Sequence, residues 1–240
     1  MTPTPSVTAR PTATASPTVT PTASASATPS ASPTASASPA GTDAAASLWV
    51  VVNKRRPLNP LNYVPGNLVT PKFEDGAGSN ANGFQLAKPA AKALKQMATA
   101  MKAAGSGTLF MSSAYRSYQT QVAVHAKDVA AYGLAVGENL AARPGYSEHQ
   151  TGLAVDLSAL GQGCNIRVCF STTKAGKWLA ANSWQYGFIL RYPDGQTPTT
   201  GYQFEPWHFR YVGTDLSTAM HSAGVTVLEK YFKLPAAPAY

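Results

Sequence analysis

Apolar residues return at Leu86, Ala90, Leu94, Met97 and Met101, at three- and four-residue steps, with Lys88, Lys92, Lys95 and Lys102 set between them. That period gathers the apolar set on one helical face and predicts an amphipathic helix over residues 86–104, stopped by Gly105. A second helix is expected from Ser117, a good N-cap, to Tyr132, ended by Gly133, with Tyr118, Val122, Val129 and Tyr132 on its apolar face. Further helices are expected over residues 135–142, over 174–186 (core candidates Trp178, Leu179 and Trp184), and over 215–221 and 225–232. Runs of β-branched and aromatic residues predict strands at 48–53, 109–111, 152–157, 188–192 and 208–212, the last two paired. Residues 54–84, rich in Pro, Gly and Asn, read as a long ordered loop. Strands and helices do not alternate cleanly, which favours an α+β class over a doubly wound α/β sheet.

The periodicity begins only near residue 47. Residues 1–46 are almost entirely Thr, Pro, Ser and Ala, without one aromatic side chain. Such a segment buries too little apolar surface to offset the entropy of ordering its backbone. It reads as a disordered or semi-extended spacer open to O-glycosylation, with a dispensable tail as the alternative. Residues 47–240 then make one domain of ordinary size. No apolar run is long enough to span a bilayer. The first residues lack the basic and apolar regions of a signal peptide, so a native leader or membrane anchor is expected to be missing.

The 19 Lys and Arg against 11 Asp and Glu give a net charge of +8. Arg10 and Asp43 cancel, so the excess lies on the folded part and favours anionic partners such as a cell wall. The basic residues are scattered and no nucleic-acid-binding motif is present, so nucleic acid is not an expected partner. Cys164 and Cys169 lie five apart in an expected loop. A local disulfide, and with it an oxidising compartment, is the favoured reading; a reduced or metal-binding pair is the alternative.

Four histidines occur, and two have chemically suggestive neighbours: His149 precedes Asp156 by seven residues, and His208 follows Glu205 by three. Two imidazoles and a carboxylate, with a fourth position left for water and a second carboxylate nearby, suit catalytic zinc. Zinc brings the pKa of a bound water to about 7, and Glu205 is placed to move its proton to a leaving amine. Pro206 makes a helix interior unsuitable there, so the pair is expected in a turn. The plainer reading is two unrelated, satisfied histidines. His125 and His221 read as surface residues. Tyr115, Tyr118 and Tyr146 read equally as pocket or packing residues, and Arg191 and Arg210 as a cationic cleft or as solvated strand positions.

Several segments together resemble the VanY-like D-alanyl-D-alanine carboxypeptidases, zinc peptidases sharing a fold with D-Ala-D-Ala dipeptidases and hedgehog-type domains. They are Val52-Asn53-Lys54 with Tyr63-Val64-Pro65, the stretches Ser113 to Gln121, Pro144 to Asp156 and Tyr186 to Pro193, and Glu205 to Gly213. The resemblance spans residues 48–232. It implies a small antiparallel sheet flanked by helices. It also implies His149, Asp156 and His208 as zinc ligands, Glu205 as catalytic base, and Arg116 facing the substrate or transition state, where a guanidinium can grip a carboxylate or an oxyanion. Ser147, Gln121, Tyr115 and Trp207 are candidate substrate contacts. The activity implied is removal of the C-terminal D-alanine from peptidoglycan stem peptides by a monomeric, exported enzyme at the cell envelope, touching the membrane only through an absent anchor. The alternatives are an L,D-carboxypeptidase acting on tetrapeptide stems and a non-catalytic, metal-stabilised wall-binding module, against which the base Glu205 argues.

Overall fold

The computed structural model describes residues 41–240. In chain order these form strands β1 (Leu68–Val69), β2 (Gly78–Ser79) and β3 (Leu86–Ala87), helix α1 (Lys88–Ala103), strand β4 (Leu109–Ser113), and helices α2 (Tyr118–Tyr132) and α3 (Leu134–Leu140). Strand β5 (Ala154–Ala159), helix α4 (Lys174–Asn182), strand β6 (Phe188–Leu190), the short helix α5 (Thr197–Thr200), strand β7 (His208–Tyr211), and helices α6 (Thr214–Ser222) and α7 (Leu228–Tyr231) follow. β1 and β3 pair by themselves, and the other five strands make one sheet in the order β2-β4-β5-β7-β6.

The alternation of side chains across the sheet separates core from chemistry. Val155 and Leu157 of β5 and Phe209 of β7 point into the main core, against Leu94, Met97 and Met101 of α1 and Leu179 of α4. The intervening residues Asp156 and His208 therefore point to the opposite face, because successive strand side chains alternate. On that face Ile189 of β6 joins Leu216 and Met220 of α6 and Leu228 of α7 in a second apolar cluster. The α1 stripe is buried as its period requires, with Leu94, Met97 and Met101 fully covered. Ser117 caps α2, its Oγ accepting from Thr120 N at 3.1 Å.

The α+β class agrees with the sequence, and four details depart from it. β2 pairs parallel to β4 at the edge of an otherwise antiparallel sheet. Residues 48–53, expected as a strand, join no sheet. Val50, Val51 and Val52 are buried, but the carbonyls of Leu48 and Val50 accept from Arg210, and that of Val51 from Arg56. Guanidinium groups take the place of a neighbouring strand. The expected apolar face of α2 does not enter the core: Val122 is 40% and Tyr132 60% exposed, and Gln121 alone in the helix is buried. The helix expected over residues 174–186 stops at Asn182, and a 3-10 turn, Ser183–Tyr186, continues it.

The expected spacer lies outside the described residues up to residue 40. From residue 41 the chain packs on the domain: Thr42 is buried and its carbonyl accepts from Val51 N at 2.9 Å. Cys164 and Cys169 form the disulfide. Among the described residues no helix is long and apolar enough to cross a membrane.

Candidate metal centre and its cleft

The centre is assembled from two adjacent strands and one tight turn. Asp156 and His208 are register partners in the antiparallel β5–β7 pair, so both side chains leave the same face side by side. His149 lies in a 3-10 turn, Glu148–Thr151, which Gly152 closes with a left-handed φ of 69°. A Cβ at Gly152 would lie 2.8 Å from Leu68 Cδ2 and 3.2 Å from Ala87 N, so glycine is needed for conformation and for space. His208 N donates to Glu205 O at 3.1 Å, and Glu205 N to Tyr192 O at 3.0 Å, a turn that Pro206 fits.

His149, Asp156 and His208 each offer one ligand atom within 4.8 Å of the others. His149 Nε2 is 3.3 Å from Asp156 Oδ2, and His208 Nδ1 is 3.2 Å from Asp156 Oδ1. The two imidazoles stand nearly perpendicular, 4.9 Å between centroids. Glu205 Oε2 lies 3.7 Å from His208 Nδ1. All four side chains are almost wholly buried, yet Asp156 Oδ1 has no hydrogen-bond partner. A buried polar atom left unsatisfied costs about 1–3 kcal/mol, more when charged. A cation amid this N/N/O donor set would remove that cost, and the donors are those zinc takes.

The electrostatics fit the same use. Burial, helped by the Arg116 charge, pushes His149 down to about 4, so it is a neutral ligand at pH 7. Burial also acts against charge on Asp156, but His149 and His208 outweigh it and hold the carboxyl well below its usual range. Burial opposes charge on His208 too, while hydrogen bonding to Asp156 and Glu148 wins and raises it to about 9. Desolvation raises Glu205 to about 8. A carboxyl held near neutrality is suited to exchanging a proton with water.

The centre opens into a cleft of about 350 Å³. Arg116, Ser147 and Trp207 line it, with Glu205 and the three ligand-type residues at its base. Trp207 also belongs to the main core, so it packs and lines at once. Arg116 is tied to the ligand turn through its N–H, 3.3 Å from His149 O. Tyr115 and Gln121 lie outside the lining. Tyr115 N donates to Gln85 O, and Gln121 is buried behind the wall, its Nε2 donating to Ala142 O at 2.7 Å. Val124, Asp128 and Tyr132 of α2, Leu140 of α3 and Ile166 from the disulfide loop also line the cleft, and none of them is a candidate site residue in the sequence. Of the expected apolar stripe of α2, Tyr132 reaches the cleft; the face that lines it runs Val124, Asp128 and Tyr132 at four-residue steps.

Arg191 and Arg210, read as cleft or solvated cations, are neither. Both are fully buried and share Glu148 Oε1 at 2.8 Å each. Arg191 also grips both oxygens of Glu229 at 2.9 and 2.7 Å, and Asn53 donates to Glu229 at 2.9 Å. The signal for Arg210 was its parity: it is two residues from His208 in one strand, hence on the ligand face. His125 Nε2 lies 3.8 Å from Glu138, and His221 stacks on Trp184.

A profile of the family described as VanY, D-alanyl-D-alanine carboxypeptidase, matches residues 83–214. A D-alanyl-D-alanine carboxypeptidase of Enterococcus faecium is 34% identical over 162 residues, which cover 65% of this chain and 47% of the relative. The chain thus spans about half the length of that enzyme. Among solved structures, the LdcB LD-carboxypeptidase superposes with a TM-score of 0.70 and 39% identity, covering 78% of this chain and 86% of its own. A mutant of the vancomycin-resistance D,D-pentapeptidase VanY from a VanB-type cassette, solved with Zn(II), gives 0.62 and 32%, covering 77% and 98%.

Proposed function

The chain belongs to the VanY family of D-alanyl-D-alanine carboxypeptidases, and on that premise we propose that it is a zinc carboxypeptidase that removes the C-terminal D-alanine from peptidoglycan stem peptides. The observation that carries this reading is the convergence of His149, Asp156 and His208, with Glu205 beside them, at the base of a cleft that Arg116 lines. The similar VanY enzyme solved with Zn(II) supports zinc as the metal.

His149 through Nε2, His208 through Nδ1 and a carboxylate oxygen of Asp156 would hold the ion. Zinc bound there supplies Lewis acidity, which acidifies water and polarises a peptide carbonyl. The protein's own groups do the remainder. Glu205, buried and close to neutrality in its pKa, takes a proton from the attacking water and returns it to the departing amine of D-alanine. Arg116 presents a guanidinium that stabilises developing negative charge in the cleft. Ser147, with its backbone in the ligand turn, and Trp207 shape the end that receives the terminal residue.

The likeness to the LdcB LD-carboxypeptidase favours a second reading, release of D-alanine from tetrapeptide stems. Mass spectrometry of the zinc-loaded protein on pentapeptide stems ending in D-Ala-D-Ala, and separately on tetrapeptides ending in one D-Ala, divides the two. Chelator-sensitive loss of one alanine from the pentapeptide supports the D,D reading. Loss from the tetrapeptide alone moves the enzyme to the L,D class, and cleavage of neither refutes both. The disulfide and the net charge of +8 support an exported, envelope-facing location.

A further inference from the structure

A histidine binds metal only through an unprotonated ring nitrogen, so whatever fixes the ring proton fixes the ligand. For His149 the fixing group is a backbone carbonyl. Nδ1 lies 2.7 Å from Ala114 O, which can only accept, so Nδ1 carries the hydrogen and Nε2 faces the centre. His208 is turned the other way. Its Nδ1 faces Asp156, and its Nε2 points out of the centre toward Glu148 Oε2, 3.5 Å away. Neither of these two buried atoms makes a hydrogen bond elsewhere, and at 3.5 Å their own approach is longer than a formed hydrogen bond, so each is the nearest group that can satisfy the other.

Glu148, the first residue of the ligand turn, is firmly held. Its Oε1 accepts from Arg191 Nε and Arg210 Nη1 at 2.8 Å each. Both arginines are fixed in turn, one by Glu229 and the other by the carbonyls of Leu48 and Val50. Glu148 and Glu229 match the two guanidinium charges, so the buried group is neutral. Oε1 is saturated from one side and Oε2 is left for His208.

Resting on the metal-peptidase reading above, we propose that Glu148 is a positioning residue for the metal: through Oε2 it keeps the His208 proton on Nε2 and so delivers Nδ1 to the ion. The arginine pair prevents the carboxylate from rotating away. Carboxylate partners of this kind orient ligand imidazoles and raise their basicity, and losing one costs about 10–100-fold in metal affinity.

The informative variant is Glu148→Gln, which keeps the shape. The arginines require an acceptor, so the amide oxygen takes the Oε1 place and the NH2 faces His208 Nε2. Nε2 must then accept, the proton moves to Nδ1, and the ligand atom is blocked. Zinc titration against a competing chelator should show wild type binding one equivalent, and the folded variant binding about 10–100-fold more weakly. Ring-nitrogen NMR of cadmium-loaded wild type tests the same point if the variant does not fold. Metal coupling to His208 Nδ1 with a slowly exchanging Nε2–H supports the assignment, and coupling to Nε2 overturns it. A folded variant within twofold of wild-type zinc affinity also overturns it, leaving Glu148 as a partner of the arginines alone. Wild type that binds no zinc overturns the metal reading, and this assignment with it.

Discussion

Asp156 and His208 face one another across one register position of neighbouring antiparallel strands, Oδ1 3.2 Å from Nδ1. The relationship makes the centre a property of the sheet. The same alternation that sends Val155 and Phe209 into the core sends Asp156 and His208 out of it. A one-residue slip would move the ligands into the core and the core residues into the cleft. The apolar side of the register therefore holds the chemical side in place, and the centre is fixed before any metal arrives.

Glu205→Ala should retain zinc and lose turnover. Glu205 is beside the ligands and is not one of the three, and general acid–base catalysis contributes about 10²–10⁴-fold. Zinc content by metal analysis with kcat on the preferred stem peptide checks this. Unchanged kcat would remove the base assignment.

His149→Ala should lose both metal and activity, because two of the three donors hold zinc poorly and Asp156 is left next to the gap. The apo variant should still fold, since the turn around residue 149 is set by Gly152 and backbone hydrogen bonds. Full zinc occupancy in the variant would sink the ligand assignment.

Acid should destabilise the domain below the ordinary carboxyl range. Burial opposes charge on Glu229, but Arg191 and Asn53 hold its pKa below its usual 4.5. Burial opposes charge on Glu148 as well, but Arg191 and Arg210 hold its carboxyl well below the usual range. A depressed folded-state pKa gives stability that is fully present above the unfolded value and lost as pH falls through the folded one. Urea midpoints should decline from neutrality toward pH 9, where Glu205 and His208 hold protons that the unfolded chain has lost, and should also fall steadily below about pH 4.5. Glu229→Gln should flatten that fall and lower stability at pH 7, since breaking a buried pair from one side costs about 3–5 kcal/mol.

The ligand set was legible because its residues sit in two short segments whose donor types have few other uses. The α2 wall of the cleft was not. Its lining face, Val124, Asp128 and Tyr132, carries a charge in its middle and so does not stand out as an apolar stripe, while Val122 of the stripe that does stand out is left 40% exposed. Arg191 and Arg210 were misread because a cation after an apolar run is normally solvated. Their partners, Glu148 and Glu229, are 43 and 38 residues away from Arg191, a distance that no local pattern spans. Residues 48–53 carried strand composition, but the carbonyls of Leu48, Val50 and Val51 accept from guanidinium side chains, which propensity does not register. The segment assigned to the spacer over residues 41–46 looked compositionally like the rest, yet Thr42 and Ala45 are buried.

That last difference has a direct test. A chain beginning at Gly41 keeps the Thr42 carbonyl, which accepts from Val51 N and from Arg56 Nη2, at 2.9 Å each. A chain beginning at Ser47 loses both, together with the Asp43–Arg56 pair. The exposed ion pair matters little, but unsatisfied buried donors cost about 1–3 kcal/mol each. The shorter chain should melt several degrees below the longer one, and equal melting temperatures would show that residues 41–46 are dispensable.

Zinc affinity should rise with pH up to about 9. In the metal-free protein hydrogen bonds to Asp156 and Glu148 outweigh burial and raise His208 to about 9, while desolvation raises Glu205 to about 8. At pH 7 His208 therefore carries a proton that must leave before Nδ1 can bind, and a nearby divalent charge favours loss of the Glu205 proton as well. Metal and proton compete, so affinity should increase roughly tenfold per pH unit or more from pH 7, then level off beyond pH 9. Calorimetry in buffers of different ionisation enthalpy should register between one and two protons released per zinc at pH 7. His149, whose pKa of about 4 leaves it neutral at pH 7, should contribute none. Binding without proton release would mean that His208 enters the site unprotonated, and that the carboxylates around it do not hold the charge their distances imply.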